Sequence, residues 1–401
     1  MKVVLVAPTC DGDDVGESWL AFQWAKLLSD RFDLTVLTTF KRGHRPPSEQ
    51  LPGVEVVEWQ EPPVVGRFER LNSLLQPGYS LFLVRARRWL KHRLAEGTGF
   101  DIAHQVVPVA MRYPSPVAAL GIPLIIGPVG GSLTSPSAFA AEEGSTPWYQ
   151  RLRVLDAWRM KRDPLLRRTY ESADCVVGVA PYARELLEGL AVKRFEVMSD
   201  VAIHSVKRPI DRAGRPGPVR LLFVGRIIRT KGLRDVIRAM ARLRDLDVVL
   251  DIVGDGNDRA ACTALAKELE VDDRMTFHGL MSRAEVDAFY ERADIFVFPS
   301  YREPGGSVVL EAMAYSLPLI VCRRGGPGAN VDDSCAFRLD AVSPEQLAAD
   351  CAAAIRRLVE DPELRSRMGA AARSHAERTH LWGARLEQMS TLYSELAFRS
   401  V

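Results

Sequence analysis

No stretch of the sequence is long and apolar enough to span a bilayer as a helix, so no membrane-spanning helix is expected in it. Nor is there an excess of one charge. With 53 Lys and Arg against 51 Asp and Glu, the formal net charge of +2 argues against bulk electrostatic binding of nucleic acid. Cysteine is scarce and scattered. Cys10, Cys175, Cys262, Cys322, Cys335 and Cys351 form no CxxC pair, which argues against a zinc site or a disulfide framework and for reduced thiols in the cytosol. The opening MKVVLVAPTC has too short an apolar run for a signal, and Thr9 before Cys10 is a poor cleavage site, so it reads as a first strand. No GxGxxG follows the first strand of either half, against a Rossmann dehydrogenase. No Asp-x-Asp pair stands in a loop suited to a phosphorylated donor. Asp11-Gly12-Asp13 lies in the first half, and Asp332 and Asp333 are adjacent. Neither a catalytic metal nor a cofactor is therefore expected.

What is present is an α/β pattern in two halves. At 401 residues, 47% of them hydrophobic, the chain has material for two cores. VVLVA (Val3 to Ala7) is followed by a loop with Gly12 and Gly16. An amphipathic helix through Trp19, Leu20, Trp24, Leu27 and Leu28 comes next, then a strand from Leu34 to Thr38. The later half repeats the scheme, with strands at 221–224, 248–253, 275–278, 295–298 and 319–322. Helices fall at 233–243, 259–269 and 285–291, with a further one carrying Glu311. Unbroken apolar runs alternating with helical periodicity indicate parallel strands covered on both faces. RPIDRAGRPGPV reads as a linker, so the expected division is 1–208, a linker at 209–218, 219–380, and a helical tail 381–401 packing back on the first domain.

Two constellations in the second half carry chemistry. In LLFVGRIIRTKG, Arg226 and Lys231 lie just past a strand end, where parallel sheets bind ligands, and both suit phosphate oxygens. Gly225 permits close backbone approach, and Gly232 fits the turn into the next helix. The alternative is a surface loop with two solvated cations. In EPGGSVVLEAMA, Gly305 and Gly306 precede a helix whose first N–H groups, near Ser307, can face an anion. Glu311 on that helix suits two ribose hydroxyls, and Glu303 ahead of it a hexose hydroxyl. The alternative is two surface carboxylates flanking a buried helix.

The order GRxxxxKG, VGDG, ADIFVFPS and Glu-x7-Glu with LEAMA resembles the retaining glycosyltransferases of family 4, which have the GT-B fold. The resemblance covers the second half. It implies two doubly wound Rossmann-like domains facing across a cleft, with a C-terminal helix crossing back. It assigns Arg226 and Lys231 to the donor diphosphate, Glu303 to the transferred sugar and Glu311 to the ribose. Backbone at Gly225, Gly305, Gly306 and Ser307 would line the donor, which is a UDP- or GDP-linked sugar. Gly325 and Gly326 resemble the family's glycine turn beside the donor, or form a plain turn. One departure is clear. Where the family often has Glu-Gly-Phe-Gly, this chain has Glu303-Pro304-Gly305-Gly306, which resembles a branch with Asp-Ser-Gly-Gly, so the donor sugar is not carried over.

The first half resembles the family less. The usual glycine pair after the first strand is replaced by CDGDDVGESW, where Gly16 is the candidate for phosphate approach. Asp11, Asp13 and Asp14 must point away from such an anion or toward a polyhydroxyl acceptor. His104 ends a short strand where relatives carry His-x-His, but the second position here is Val106. His104 is thus a candidate acid/base or acceptor ligand, or a core histidine. PLIIGPVGGS resembles the GPVGG loop of the same branch.

Two basic-aromatic stretches, WYQRLRVLDAWRMKRDPLLRR and RARRWLKHRL, fit either peripheral contact with an anionic membrane surface or a solvated basic face. The expected activity is metal-independent, retaining transfer of a sugar to a sugar, lipid-linked or small-molecule hydroxyl, in the cytoplasm. The resemblance implies biosynthesis of a bacterial polysaccharide, glycolipid or glycosylated metabolite. The alternatives are a nucleotide-sugar epimerase of the same fold and a non-catalytic sugar-nucleotide-binding protein.

Overall fold

The computed structural model describes residues 1–61, 77–144, 154–210, 212 and 215–398. The chain divides into two compact units. The first comprises Met1–Ser132, Trp148–Asp200 and Leu386–Val401; the second comprises Leu133–Pro147 and Val201–Arg385.

The first unit is built on a seven-stranded sheet. Its strands are β1 Lys2–Thr9, β2 Asp33–Phe40, β3 Glu55–Gln60, β4 Ile102–Gln105, β5 Leu124–Val129, β6 Cys175–Gly178 and β7 Phe195–Val197. They run parallel in the order β3-β2-β1-β4-β5-β6-β7. Val3 to Ala7 are fully buried, as an apolar run covered on both faces requires. The helix Glu17–Ser29 turns Leu20, Trp24 and Leu28, spaced by four, onto the sheet.

The second unit repeats the design with six parallel strands. These are β8 Val219–Val224, β9 Val248–Val253, β10 Met275–Gly279, β11 Ile295–Phe298, β12 Leu319–Cys322 and β13 Ala336–Leu339, in the order β10-β9-β8-β11-β12-β13. β8 pairs with β9 from Val219↔Val248 to Val224↔Val253, and with β11 at Ile295↔Leu221 and Phe296↔Leu222. The helix Arg283–Arg292 starts two residues earlier than periodicity indicates. Ser282 and Glu285 form a reciprocal capping box there, satisfying N–H groups that the apolar pattern does not report.

The division of the chain differs from the expected one in three places. A strap from Leu133 onward leaves the first unit after β5 and packs with the second. Its Phe139 is fully buried in the second core. The second unit begins at Val201 rather than after the proline-rich stretch. Arg212 explains part of this: its guanidinium donates to the carbonyls of Ala293, Tyr290 and Tyr315, at 2.6, 3.2 and 2.9 Å, pinning the stretch to that unit. Asp211, Ala213 and Gly214 of the same stretch lie outside the described residues. The C-terminal helix Trp382–Ala397 joins the first unit from Leu386, where Tyr393 is fully buried. Among the described residues, no helix is long and apolar enough to cross a membrane.

Candidate active site

Chain direction across the second sheet reverses between β8 and β11. Succession runs β8, β9, β10 to one side and β11, β12, β13 to the other. The crossovers that follow β8 and β11 therefore run to opposite faces of the sheet, the arrangement in which parallel sheets bind ligands beside the loops at their carboxyl ends. The two halves of the sequence constellation are those loops.

The loop after β8 is built on glycine. Gly225 has φ +154, and a Cβ on Gly254, after β9, would lie 2.0 Å from the Gly225 carbonyl oxygen. Arg226 is exposed. The chain then forms a 3-10 turn, Arg229–Lys231, and leaves it through Gly232 at φ +82. A Cβ on Gly232 would meet the Pro299 carbonyl oxygen at 2.3 Å, so this glycine brings the turn against the exit of β11.

Lys231 is the central observation. Its side chain is 7% exposed, yet it carries an ammonium whose partner is the Glu303 carboxylate from the loop after β11. Burial, then the Arg226 and Arg302 guanidiniums, push Lys231 down to about 7. The Glu303 carboxylate, in contact with the ammonium, works against that shift.

The Glu303 loop rests on the residues after β12. Gly326 N–H donates to the Glu303 carbonyl at 3.0 Å. A Cβ on Gly325 would lie 2.1 Å from that oxygen, and one on Gly326 would lie 2.0 Å from the Gly305 carbonyl oxygen. Asn330 Nδ2 donates to the Gly305 carbonyl at 2.9 Å. Gly325 and Gly326 thus open a short helix, Gly325–Ala329, that floors the loop; they do more than turn the chain.

Gly306, at φ +80, precedes the helix Ser307–Ala314 and no side chain caps it. Ser307 is exposed, and the first N–H groups of that helix have no carbonyl one turn earlier within it. Val309, Leu310, Ala312 and Met313 are buried beneath. Glu311 accepts from the Tyr290 hydroxyl at 3.1 Å and lies 3.5 Å from Arg283. Burial raises its carboxyl; Arg283 and the Tyr290 hydroxyl oppose that.

In the first unit the candidates fare differently. His104 is fully buried. Its Nε2 bonds to the Gly127 carbonyl and its Nδ1 to the Tyr393 hydroxyl at 2.7 Å, so both ring nitrogens are engaged. Burial lowers it to about 4, the Gly127 bond opposing. That is the geometry of a core histidine and not of an acid/base: as placed, no nitrogen is left to meet a substrate. Gly16, at φ +68, precedes the helix Glu17–Ser29 and is exposed. The acidic residues beside it are turned onto the segment after β2. Asp11 contacts His44 and Gln50, Asp13 contacts Arg45, and Asp14 contacts Lys41. Asp11 is held low: burial pushes it up, but the Asp13 N–H, Gln50 and His44 outweigh this.

Sequence reasoning passed over Arg302, although it abuts Glu303. It also passed over Arg229, whose guanidinium grips Asp235 with two bonds, at 2.6 and 2.9 Å. Arg229 and Asp235 stood in the same KG-containing stretch, but nothing in their spacing marked them as buried. Among the described residues, no group of three or more His, Cys, Asp or Glu is placed to hold a metal ion.

Residues 210–375 match the family model described as glycosyl transferases group 1. The match lies in the second half and covers less than half of the chain. Beyond it, the chain is 34% identical over 238 residues to the D-inositol 3-phosphate glycosyltransferase of Corynebacterium jeikeium (strain K411), covering 57% of this chain and 54% of that protein. It is 35% identical over 178 residues to the glycogen synthase of Mycobacterium tuberculosis (strain ATCC 25618 / H37Rv), covering 43% and 41%. The chain thus spans about half or less of the length of these curated relatives. Among solved structures, it resembles the lipopolysaccharide outer core galactosyltransferase WaaB in its apo form. The TM-score is 0.65 at 16% identity, over 99% of this chain and 100% of that one. It likewise resembles Anabaena Alr3699/HepE in complex with UDP and glucose, with TM-score 0.59 and 16% identity over 99% and 100%. The fold is that of GT-B glycosyltransferases, two Rossmann-like parallel-sheet units, and the matched stretch holds the switch-point site.

Proposed function

We propose that the protein is a retaining, metal-independent glycosyltransferase. It moves a sugar from a UDP- or GDP-linked donor to an acceptor hydroxyl. The observation that carries this is Lys231, a buried cation at the switch point, flanked by Arg226 and Arg302 and held against Glu303. A buried ammonium beside two guanidiniums is costly unless an anion compensates it. Glu303 supplies one negative charge; a diphosphate supplies more. When it binds, Lys231 gains phosphate oxygens, and Glu303 turns to a hydroxyl of the donor sugar.

As the anomeric bond breaks, charge develops on the departing diphosphate. Arg226, Lys231 and the free N–H groups at Ser307 stabilise it in place of a metal, each well-placed donor being worth about 3 kcal/mol by analogy with oxyanion holes. Glu311, oriented by the Tyr290 hydroxyl, takes the ribose diol. With Glu303 on the sugar hydroxyls and Glu311 on the ribose, the leaving phosphate accepts the acceptor's proton on the face it departs from, and configuration is retained. Support also comes from the matched family and from the HepE neighbour, whose structure contains UDP and glucose.

The acceptor belongs to the first unit, where His104 is structural and Gly16 is the candidate for substrate contact. Peripheral contact with an anionic membrane is part of this reading. Trp158 and Leu165 are 61% and 57% exposed on the helices Val154–Arg162 and Pro164–Ser172, near Lys161, Arg162 and Arg168. Trp148, Arg151, Leu152 and Arg153 of that stretch lie outside the described residues.

The test is a transfer assay with UDP- and GDP-sugars and a panel of hydroxyl acceptors, with and without EDTA, reading the product anomer by NMR. The expected result is acceptor-dependent release of nucleoside diphosphate, insensitive to EDTA, with the donor's anomeric configuration kept. An inverted product, or loss of activity with EDTA restored by magnesium or manganese, refutes the mechanism. An epimerised donor formed without acceptor points instead to the epimerase.

A further inference from the structure

The turn that presents Lys231 is held from two sides. On one, the Thr230 carbonyl accepts from Tyr301 N–H at 3.2 Å and from the buried Ser300 hydroxyl at 3.1 Å, both in the loop after β11. On the other, Arg229 is 4% exposed and grips Asp235, itself fully buried on the helix Leu233–Ala241. A guanidinium has five N–H donors in a fixed fork, and burial makes each unmet donor expensive. Asp235 takes two. The Nε donor goes elsewhere: to Glu142 Oε2 at 2.8 Å.

Glu142 comes from the strap, 87 residues from Arg229 in sequence. Its other oxygen takes Arg238 at 2.7 Å, and Arg238 reaches back to Asp235 at 3.2 Å, closing a four-residue charged ring. Strap residues fix the surroundings too. The Phe139 and Tyr301 rings lie 4.2 Å apart, with the Arg229 guanidinium carbon 5.3 Å from the first and 5.5 Å from the second. Ser135 Oγ accepts from Arg302 at 3.1 Å, and the Thr134 carbonyl accepts from Arg324 at 2.8 Å.

We propose that Glu142 is a positioning residue for donor binding: through Arg229 it sets the 3-10 turn, and through that turn the place of the Lys231 ammonium. The strap is then a working part of the donor site, contributed by the sequence half that otherwise builds the first unit. A carboxylate here offers a separate oxygen to each of two guanidiniums and a charge to balance them, where an amide offers one neutral oxygen in all. Glu142 accepts from Arg229 and Arg238 together, so both cations stay off the diphosphate and Lys231 alone is presented from this turn. The inference rests on the donor-site reading above.

The test uses the full chain and isothermal titration with UDP, GDP and ADP, and with uridine, guanosine and adenosine as phosphate-free probes. Glu142→Gln is expected to weaken binding of the preferred nucleoside diphosphate at least fivefold and to leave its nucleoside unchanged. In a Lys231→Ala background, Glu142→Gln adds no further loss, because the two act through one contact. Glu345→Gln, at the exposed partner of Arg242, leaves all affinities unchanged. Should Glu142→Gln fail to fold, Glu142→Asp, which keeps the charge and shortens its reach, must show the same diphosphate-selective loss. Equal loss for nucleoside and diphosphate, or full additivity with Lys231→Ala, overturns the inference. Normal diphosphate affinity in Glu142→Gln while Lys231→Ala is impaired overturns it and leaves the donor site standing. A wild type that binds none of the three diphosphates overturns both.

Discussion

Replacing Lys231 by alanine removes one buried ammonium and nothing else from the switch point. The side chain is 7% exposed and bonds to Glu303, which is one-fifth exposed and can be rehydrated when its partner goes. Folding should therefore survive, with a melting temperature near that of the wild type. Donor binding should not. A hydrogen bond from a desolvated ammonium to phosphate contributes about 1.5–3 kcal/mol. At about 1.4 kcal/mol per factor of ten, affinity for the nucleoside diphosphate falls roughly 10- to 150-fold. Affinity for the bare nucleoside is expected to stay constant, because the proposed contact of Lys231 is with the phosphates alone. pH adds a second signature. Burial with Arg226 and Arg302 pushes Lys231 down to about 7, while the diphosphate requires the protonated form. Wild-type affinity is thus highest below that value and declines on the alkaline side, by up to about tenfold per pH unit for one linked proton. Lys231→Ala lacks this decline. Calorimetric titration of both proteins from pH 6 to 9 measures it. A loss under threefold, or an equal loss for diphosphate and nucleoside, refutes the role given to Lys231.

Glu311→Gln should cost about tenfold in affinity for a ribonucleoside diphosphate and little for the 2′-deoxy form, as competition titration would show; equal losses would remove Glu311 from the ribose. Gly254→Ala should destabilise the second unit by about 3 kcal/mol in urea unfolding, since its φ is +133 and a Cβ would lie 2.0 Å from the Gly225 carbonyl oxygen. His104 is buried neutral, its folded pKa held near 4 below the ordinary 6.5. The unfolded chain then binds the extra proton between those values, so stability falls as pH drops from 6.5 toward 4, by up to about 3 kcal/mol. His104→Asn should be less stable at pH 7 and lose less on acidification; an unaltered pH profile of unfolding would contradict the core assignment.

The second unit was legible because its chemistry and its topology coincide in sequence order. Strand, glycine, cation and carboxylate follow one another in GRIIRTKG and in EPGGSVVLEAMA, and adjacent strands bring the two runs together. Hydrophobic pattern could not report what depends on contacts far apart in the chain. Glu142 is 87 residues from Arg229, and Phe139 looks like any apolar residue of a loop until a second core encloses it. The unit boundary at Val201 was not legible for a related reason. Proline and glycine mark where a chain bends, while Arg212 and its three carbonyls decide which unit the bend is tied to. His104 showed a limit of motif comparison. A histidine at a familiar place was turned inward by Tyr393, nearly three hundred residues later. The acceptor stayed unread because CDGDDVGESW departs from the glycine pair expected after the first strand, and its three aspartates are paired with Lys41, His44 and Arg45.

The central claim is that the loops after β8 and β11 bind the diphosphate of a nucleotide sugar. A thermal-shift panel of UDP-, GDP- and ADP-sugars, run on the wild type and on Lys231→Ala, tests it most directly. Nucleotide sugars of one base are expected to stabilise the wild type, and Lys231→Ala is expected to lose that stabilisation. No stabilisation by any of them, or stabilisation undiminished in Lys231→Ala, would contradict it.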